Sequence, residues 1–315
     1  MEGAVSIMKT TKPGIYHDIP TADYFADPCP SPSLSQSIAK ILLERSPLHA
    51  WHAHPRLNPD YRHDDDTKFD VGNIAHTLLI GRGKDLIVLD FDDWRTKAAK
   101  EAREAAAADG KLAVLGKKFA IAQAMANAAH EGLSLVGCGD AFKPENGNGE
   151  IVVAWQEGPL WFRTMIDWAF PDHRLNYDLK TTGYSAAPHM IDRLMVTAGW
   201  DIQAAFQERG LDAVDPTNAG RRTFRFVAQE DEPPYALTVC ELSEDVMIMG
   251  RKKVDRAINI WRECVAHNLF PAYPTEIAFP QYPGWTEQQW LDREIKEAAR
   301  ERRPRQFDPD ILMAG

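Results

Sequence analysis

Cysteine is scarce and widely scattered: Cys29, Cys138, Cys240 and Cys264 are the only four, and none forms a Cys-x-x-Cys pair. That spacing argues against a zinc ribbon or a four-cysteine iron–sulfur cluster, and the sparse usage suits a reducing cytoplasm. No apolar run reaches membrane-spanning length and no secretory leader is apparent, so the chain is expected to work away from the membrane. Gly137, Gly139, Gly147 and Gly149 lack the lysine and hydroxyl neighbours of a phosphate loop, which argues against ATP hydrolysis. Positive charge is also short. Lys and Arg total 36 against 46 Asp and Glu, a net charge of −10, which opposes binding to a polyanion by the chain as a whole. A local basic track would suffice, and its candidates are Arg221, Arg222 and Arg225, then Arg251, Lys252 and Lys253, then Arg300, Arg302, Arg303 and Arg305. Each also reads as an ordinary solvated face.

The chain does have the means to build a large core. With 315 residues and 44% hydrophobic content, it can form one elaborated domain or a domain with appendages. Residues 1–32, rich in Pro, Asp and Thr, read as an irregular arm. Ser35 or Ser37 can cap a helix to about Arg45, which ends before Pro47. His49, His52 and His54 resemble a metal cluster, but beside Pro55 they read as surface residues. Asp64, Asp65 and Asp66 fall in a loop before a helix that carries His76. Alanine-rich stretches over 94–108 and 117–131, separated by Asp109-Gly110-Lys111, predict a helical hairpin. The spacing over 188–210 predicts one helix, and 222–241 returns to a β pattern. Ser243 can cap a long helix to about His267. Pro271, Pro274, Pro280 and Pro283 then forbid regular structure, and a terminal helix from Thr286 to about Arg302 follows, with Trp285 just before it and Trp290 in its first turns.

The chemistry concentrates between Leu160 and Thr182. Two alternating runs, Leu160–Phe170 and Leu175–Thr182, flank Pro171-Asp172-His173-Arg174 and predict an antiparallel hairpin. A turn centred between Asp172 and His173 places Asp167 directly opposite Asp178, with Lys180 on the same face as Asp178. Facing carboxylates in neighbouring strands repel unless something compensates. A divalent cation is the natural compensator, because Mg²⁺ takes hard oxygen ligands from one or two carboxylates, waters and phosphate. Lys180 beside it can orient water or neutralise charge developing on phosphate. The competing reading is a chance Asp-x-Lys in a chain with 26% charged residues. Glu157-Gly158-Pro159 can turn the preceding strand back and bring Glu150 near Asp167, although Glu150 also reads as an exposed strand-start residue.

The ordered set of motifs resembles the RecE-like branch of the PD-(D/E)XK nuclease superfamily, related to the RecB and lambda exonuclease nuclease domains. The pieces are Leu34-Ser35-Gln36-Ser37, Ser46-Pro47-Leu48-His49, Gly72-Asn73-Ile74-Ala75-His76, Asp167, Asp178-Leu179-Lys180-Thr181-Thr182, Gly199-Trp200-Asp201-Ile202-Gln203 and Phe226-Val227-Ala228. The resemblance implies an α/β fold, with a central mixed sheet flanked by helices, a helical insertion at about 94–131, a nuclease domain over 33–275 and an extension over 276–315. It makes Asp167 and Asp178 metal carboxylates, Lys180 the catalytic lysine, His76 a further metal ligand and Glu150 a secondary or supporting one. Gln203, with Arg163, is assigned to DNA. Gln207 stands where relatives often carry tyrosine, and Met165-Ile166 replaces their usual residues before Asp167.

The implied activity is Mg²⁺-dependent hydrolysis of DNA phosphodiesters, and an imidazole ligand favours Mn²⁺ as an alternative ion. The resemblance further implies 5′-to-3′ resection of double-stranded DNA ends by a ring-like homo-oligomer. It implies cooperation with a RecT-type single-strand annealing protein in phage or prophage recombination, within a bacterial cytoplasm. Two alternatives stand beside it: another nuclease of the superfamily, acting on single strands or internally, and a non-catalytic assembly protein on the same fold.

Overall fold

Residues 9–62, 71–83 and 85–301 are described by a computed structural model. The expected acidic loop at Asp64, Asp65 and Asp66 and the tail arginines beyond 301 lie outside the described residues. The chain divides into two units, one up to Tyr273 and one from Pro274 onward.

Short N-terminal elements come first: β1 (Gly14–Tyr16), α1 (Thr21–Phe25) and β2 (Ser33–Ser35). Next follow α2 (Gln36–Glu44), α3 (Pro47–Ala53) and α4 (Val71–Ile80). Ser35 caps α2 by accepting from the Ile38 N–H, and Ser46 caps α3 ahead of Pro47 in its first turn, each hydroxyl satisfying a donor that the helix leaves open. Then come β3 (Leu86–Leu89), α5 (Lys97–Ala108), β4 (Leu112–Leu115) and α6 (Gly116–Leu135).

The long strands β5 (Asn148–Glu157), β6 (Leu160–Ala169) and β7 (Leu175–Thr182) form the middle of the sheet. After them lie α7 (Ile191–Ala198), α8 (Trp200–Val214), β8 (Thr223–Glu230), β9 (Leu237–Glu241) and α9 (Glu244–His267). The second unit contains α10 (Gly284–Glu301). No described helix is long and apolar enough to cross a membrane.

Among the described residues the main sheet runs β1-β5-β6-β7-β8-β9, with β2 paired to β6 off this path. It is mixed: β7 and β8 are parallel over eight register pairs, β2 is parallel to β6, and the other ladders are antiparallel. One face packs Trp155, Phe162, Phe206, Phe226 and Trp261 with α2, α8 and α9. The other packs Leu79, Leu133, Phe142, Trp168 and Tyr177 from α4, α6, the loop after α6 and the strands. The two helix layers clamp a sheet whose central strands are almost wholly buried, as a two-sided core requires.

Close approach of α8 to α9 depends on Gly250, where a Cβ would stand 2.3 Å from the Asp201 carbonyl oxygen. The 188–210 segment is two helices instead of one, because Gly199 adopts the left-handed conformation (φ 72°) that ends α7 and starts α8. The expected helical hairpin is a β-α-β unit: β3 and β4 pair in parallel on either side of α5. Four-residue apolar runs, Leu-Ile-Val-Leu and Leu-Ala-Val-Leu, form these strands, and so short a signal is masked by the alanine-rich helices around it. The expected irregular arm over 1–32 is also ordered in part, since β1 adds to the β5 edge and α1 forms a short helix.

His54 is not a surface residue. It is fully buried, stacks on Trp261 with ring centroids 5.5 Å apart, and has Nε2 3.0 Å from the Ser33 carbonyl.

Candidate active site

The site lies at a fork in the sheet. β6 and β7 pair only at Trp168↔Tyr177 and Ala169↔Asn176 and then diverge, while the other end of β6 takes β2 on the side that β7 has left, from Ser33↔Trp161 to Ser35↔Arg163. The pairing that is present continues the register expected for the hairpin. Asp167 is the residue just past the last paired rung, and the backbone N–H of Leu179 donates to its Oδ2 at 3.0 Å.

At the same level β5 and β6 both lose one step of side-chain alternation. Ile151 and Ile166 point into the first core, whereas Trp168 lies in the second and a Cβ on Gly149 would strike Ile80 there. Residues two apart on a regular strand share a face, so each strand slips between these positions. The pairs Gly149↔Trp168 and Ile151↔Ile166 bracket the slip, and the residues inside it are Glu150 and Asp167. Glu150 carries the distortion, with φ at 48°, a conformation uncommon for a residue with a Cβ.

Asp178 and Lys180 alternate onto one face of β7, and the Lys180 ammonium contacts Asp178 Oδ1. Gln203, from the second turn of α8, donates its Nε2 to Asp178 Oδ2. His76 arrives from α4 in the opposite helix layer, with Nε2 3.2 Å from Asp167 Oδ2. Thus the fork joins residues from both sides of the sheet. Thr21 Oγ1 donates to Glu150 Oε2 at 3.0 Å, a contribution from the N-terminal segment that no sequence motif announces. Gln207 donates to the Met165 carbonyl at 3.1 Å, on the strand of Asp167.

Residues 35–281 match the model of the PDDEXK-like domain of unknown function (DUF3799). The chain belongs to this family. A structure from Eubacterium rectale, described as that of a candidate exonuclease, is similar to the PDDEXK-like chain with a TM-score of 0.52 at 10% identity, over 80% of this chain and 91% of the other. A phage-related exonuclease from Haemophilus somnus 129PT aligns with a TM-score of 0.30 at 12% identity, over 64% of this chain and 96% of the other. No curated protein matches the sequence. The fold is therefore that of PDDEXK-like proteins, a mixed sheet flanked by helices.

Electrostatics at the PDDEXK-like site follow from burial. Asp178 is pushed up to about 6, first by burial and then by the charge of Asp167, with Lys180 opposing. Burial also acts to raise Asp167, but the His76 and Lys180 charges and the Leu179 N–H outweigh it and hold that carboxyl below its usual range. Burial works to lower His76 and Lys180, yet the surrounding carboxylates raise both. Two acids in adjoining positions thus differ in proton affinity because their partners differ.

The donors suit a hard divalent ion without being preassembled around one. Asp178 Oδ1 is buried with the Lys180 ammonium against it, and two carboxylates with an imidazole and a nearby glutamate match the oxygen-rich preference of such ions. Among the described residues, no group of three or more His, Cys, Asp or Glu side chains already has ion-holding geometry. The carboxylates are instead engaged by Lys180, Gln203, His76 and Thr21, and holding an ion requires the flexible Lys180 and Gln203 side chains to move aside.

Arg163 does not join the site. It is 3% exposed, pairs with Asp27 at 3.2 Å, and donates to Ser33 Oγ at 2.7 Å and to the Ser33 and Tyr24 carbonyls. A guanidinium this buried and turned onto Asp27, Ser33 and Tyr24 is not presented to DNA, so the expected DNA contact is corrected to an anchor for the N-terminal segment. Several of the expected basic-track residues are likewise engaged internally: Arg222 with Asp212, Arg225 with Glu241, Arg251 with Glu208 and Lys253 with Asp201.

Proposed function

We propose that this protein is a divalent-metal-dependent deoxyribonuclease that hydrolyses phosphodiesters at double-stranded DNA ends. The observation that carries this reading is the buried Asp178, placed beside Asp167 and in contact with Lys180 at the open fork of the sheet. A buried like-charge arrangement is unfavourable for folding, and it has a use where a cation and a phosphate are to be held.

Asp167 and Asp178 would hold Mg²⁺ or Mn²⁺, with His76 completing the set and Glu150 supporting it. The ion when bound supplies Lewis acidity and a water of lowered pKa. Lys180 places an ammonium where charge develops on the scissile phosphate. The Leu179 N–H keeps Asp167 aimed across the fork, and Gln203, released from Asp178, is positioned to meet the DNA end. Resemblance to RecE extends the proposal to 5′-to-3′ resection by a ring-like homo-oligomer, acting with a RecT-type annealing protein in a bacterial cytoplasm.

End-labelled linear duplex and closed circular DNA, each incubated with Mg²⁺ or with EDTA, test the reading. Loss of 5′ label as short products from the linear form alone, only with Mg²⁺, is the expected result. Cutting of the circle would indicate an endonuclease, and inert DNA under all conditions would leave only an assembly role.

A further inference from the structure

We propose that the segment from Gly14 to Ser35 is a working wall of the metal site, in which Thr21 is a positioning residue for Glu150. The inference rests on the nuclease reading above and goes beyond it, because nearly all of this segment precedes residue 35, where the family match begins. Three observations converge on it.

First, Thr21 and Glu150 are joined at 3.0 Å across 129 positions of chain. A glutamate side chain loses substantial rotational freedom when held, so the hydroxyl pre-orders a carboxylate that would otherwise sample several rotamers. Second, Glu150 occupies the distorted residue of β5, opposite Asp167, at φ 48°. A residue with a Cβ in that conformation is costly and clusters at functional sites. Its charge reaches the centre, since it helps to raise His76.

Third, the segment is fastened on both sides of Thr21. Ile19 and Tyr24 pack against Val152, with Met165 beside them, next to the distorted positions of β5 and β6. Asp27 and the Tyr24 carbonyl hold the Arg163 side chain, which lies four residues before Asp167 on the same strand. Elements that merely trim a sheet edge have no need of this buried anchorage.

The test is Mn²⁺ binding to the full chain, measured by titration calorimetry and by electron paramagnetic resonance, with melting in EDTA as the folding control. Thr21→Val, which keeps the shape and removes the hydroxyl, is expected to weaken Mn²⁺ binding by roughly tenfold or more without moving the EDTA melting midpoint. Thr21→Ser restores binding. In a Glu150→Gln background Thr21→Val has no further effect, because the hydroxyl acts through that carboxylate. Wild-type affinity in Thr21→Val, or an equal loss in both backgrounds, would overturn the assignment of Thr21. Absence of Mn²⁺ binding by the wild-type protein would instead remove the nuclease reading on which it stands.

Discussion

Leu179 bonds through its backbone to the Asp167 carboxylate, so the residue between Asp178 and Lys180 is the one that ties β7 to β6 beyond their last ladder pair. The link lets the strands separate without losing their relative placement. The two acidic positions stay aligned beyond the point where the ladder ends.

Lys180 sits where an ammonium can serve both a carboxylate and a phosphate. Lys180→Ala should lower single-turnover cleavage by about 10²-fold or more, with DNA retention and the circular dichroism spectrum largely preserved. Turnover equal to wild type would remove the lysine from the mechanism.

Asp178 is held charged against the preference of its surroundings. Asp178→Asn should abolish Mg²⁺-dependent cleavage yet raise the melting temperature in EDTA at pH 8, because it relieves a buried like-charge contact. A lower melting temperature in EDTA would show that the Lys180 pairing outweighs the repulsion.

Acid should reach the fold through His54. Its Nδ1 accepts from the Arg56 and Leu57 N–H groups while Nε2 faces the Ser33 carbonyl, so the neutral ring is already satisfied and a second proton displaces two donors. Burial, then the Arg163 charge, push it down to about 4 despite Asp27. A histidine depressed in the folded state binds its proton more readily when unfolded. Stability is therefore fully present above about 6.5 and declines as pH falls toward about 4, by about 3 kcal/mol in total. Urea titrations at pH 7.5 and 4.5 should show this difference shrink in His54→Asn, and an unchanged difference would rule out His54 as the cause.

The buried Arg163–Asp27 pair should be costly to break from one side. Arg163→Ala should destabilise by about 3–5 kcal/mol, because Asp27 is left charged and enclosed, whereas Asp27→Asn combined with Arg163→Met should recover part of that loss. Equilibrium unfolding measures both. A negligible effect of Arg163→Ala would return this arginine to consideration as a surface contact.

Much of the scaffold was legible in the chain. Alternation over Leu160–Thr182 marked β6, β7 and the register of the two rungs they share, Ser35 and Pro47 bracketed α2, and the apolar stripe of 188–210 marked helical packing. Motif order pointed to the PDDEXK-like fold and to Asp167, Asp178 and Lys180. The gaps have a common origin in range. β3 and β4 are four residues each and are stabilised by pairing with one another across α5, and β1 and β2 exist as strands because β5 and β6 offer them edges. Arg163 looked available because a sequence shows charge and hides Asp27, which lies far back along the chain.

The sequence by itself determined the strand periodicity that puts Asp178 and Lys180 on one face, since alternation is a local property of the backbone. Only the tertiary structure decided that β6 and β7 diverge just past their last shared rung, that Glu150 and Asp167 slip together, and that Thr21 and His76 reach them. Those outcomes depend on which edges and layers remain free once the whole sheet is packed, and free edges are settled by contacts between residues more than a hundred positions apart.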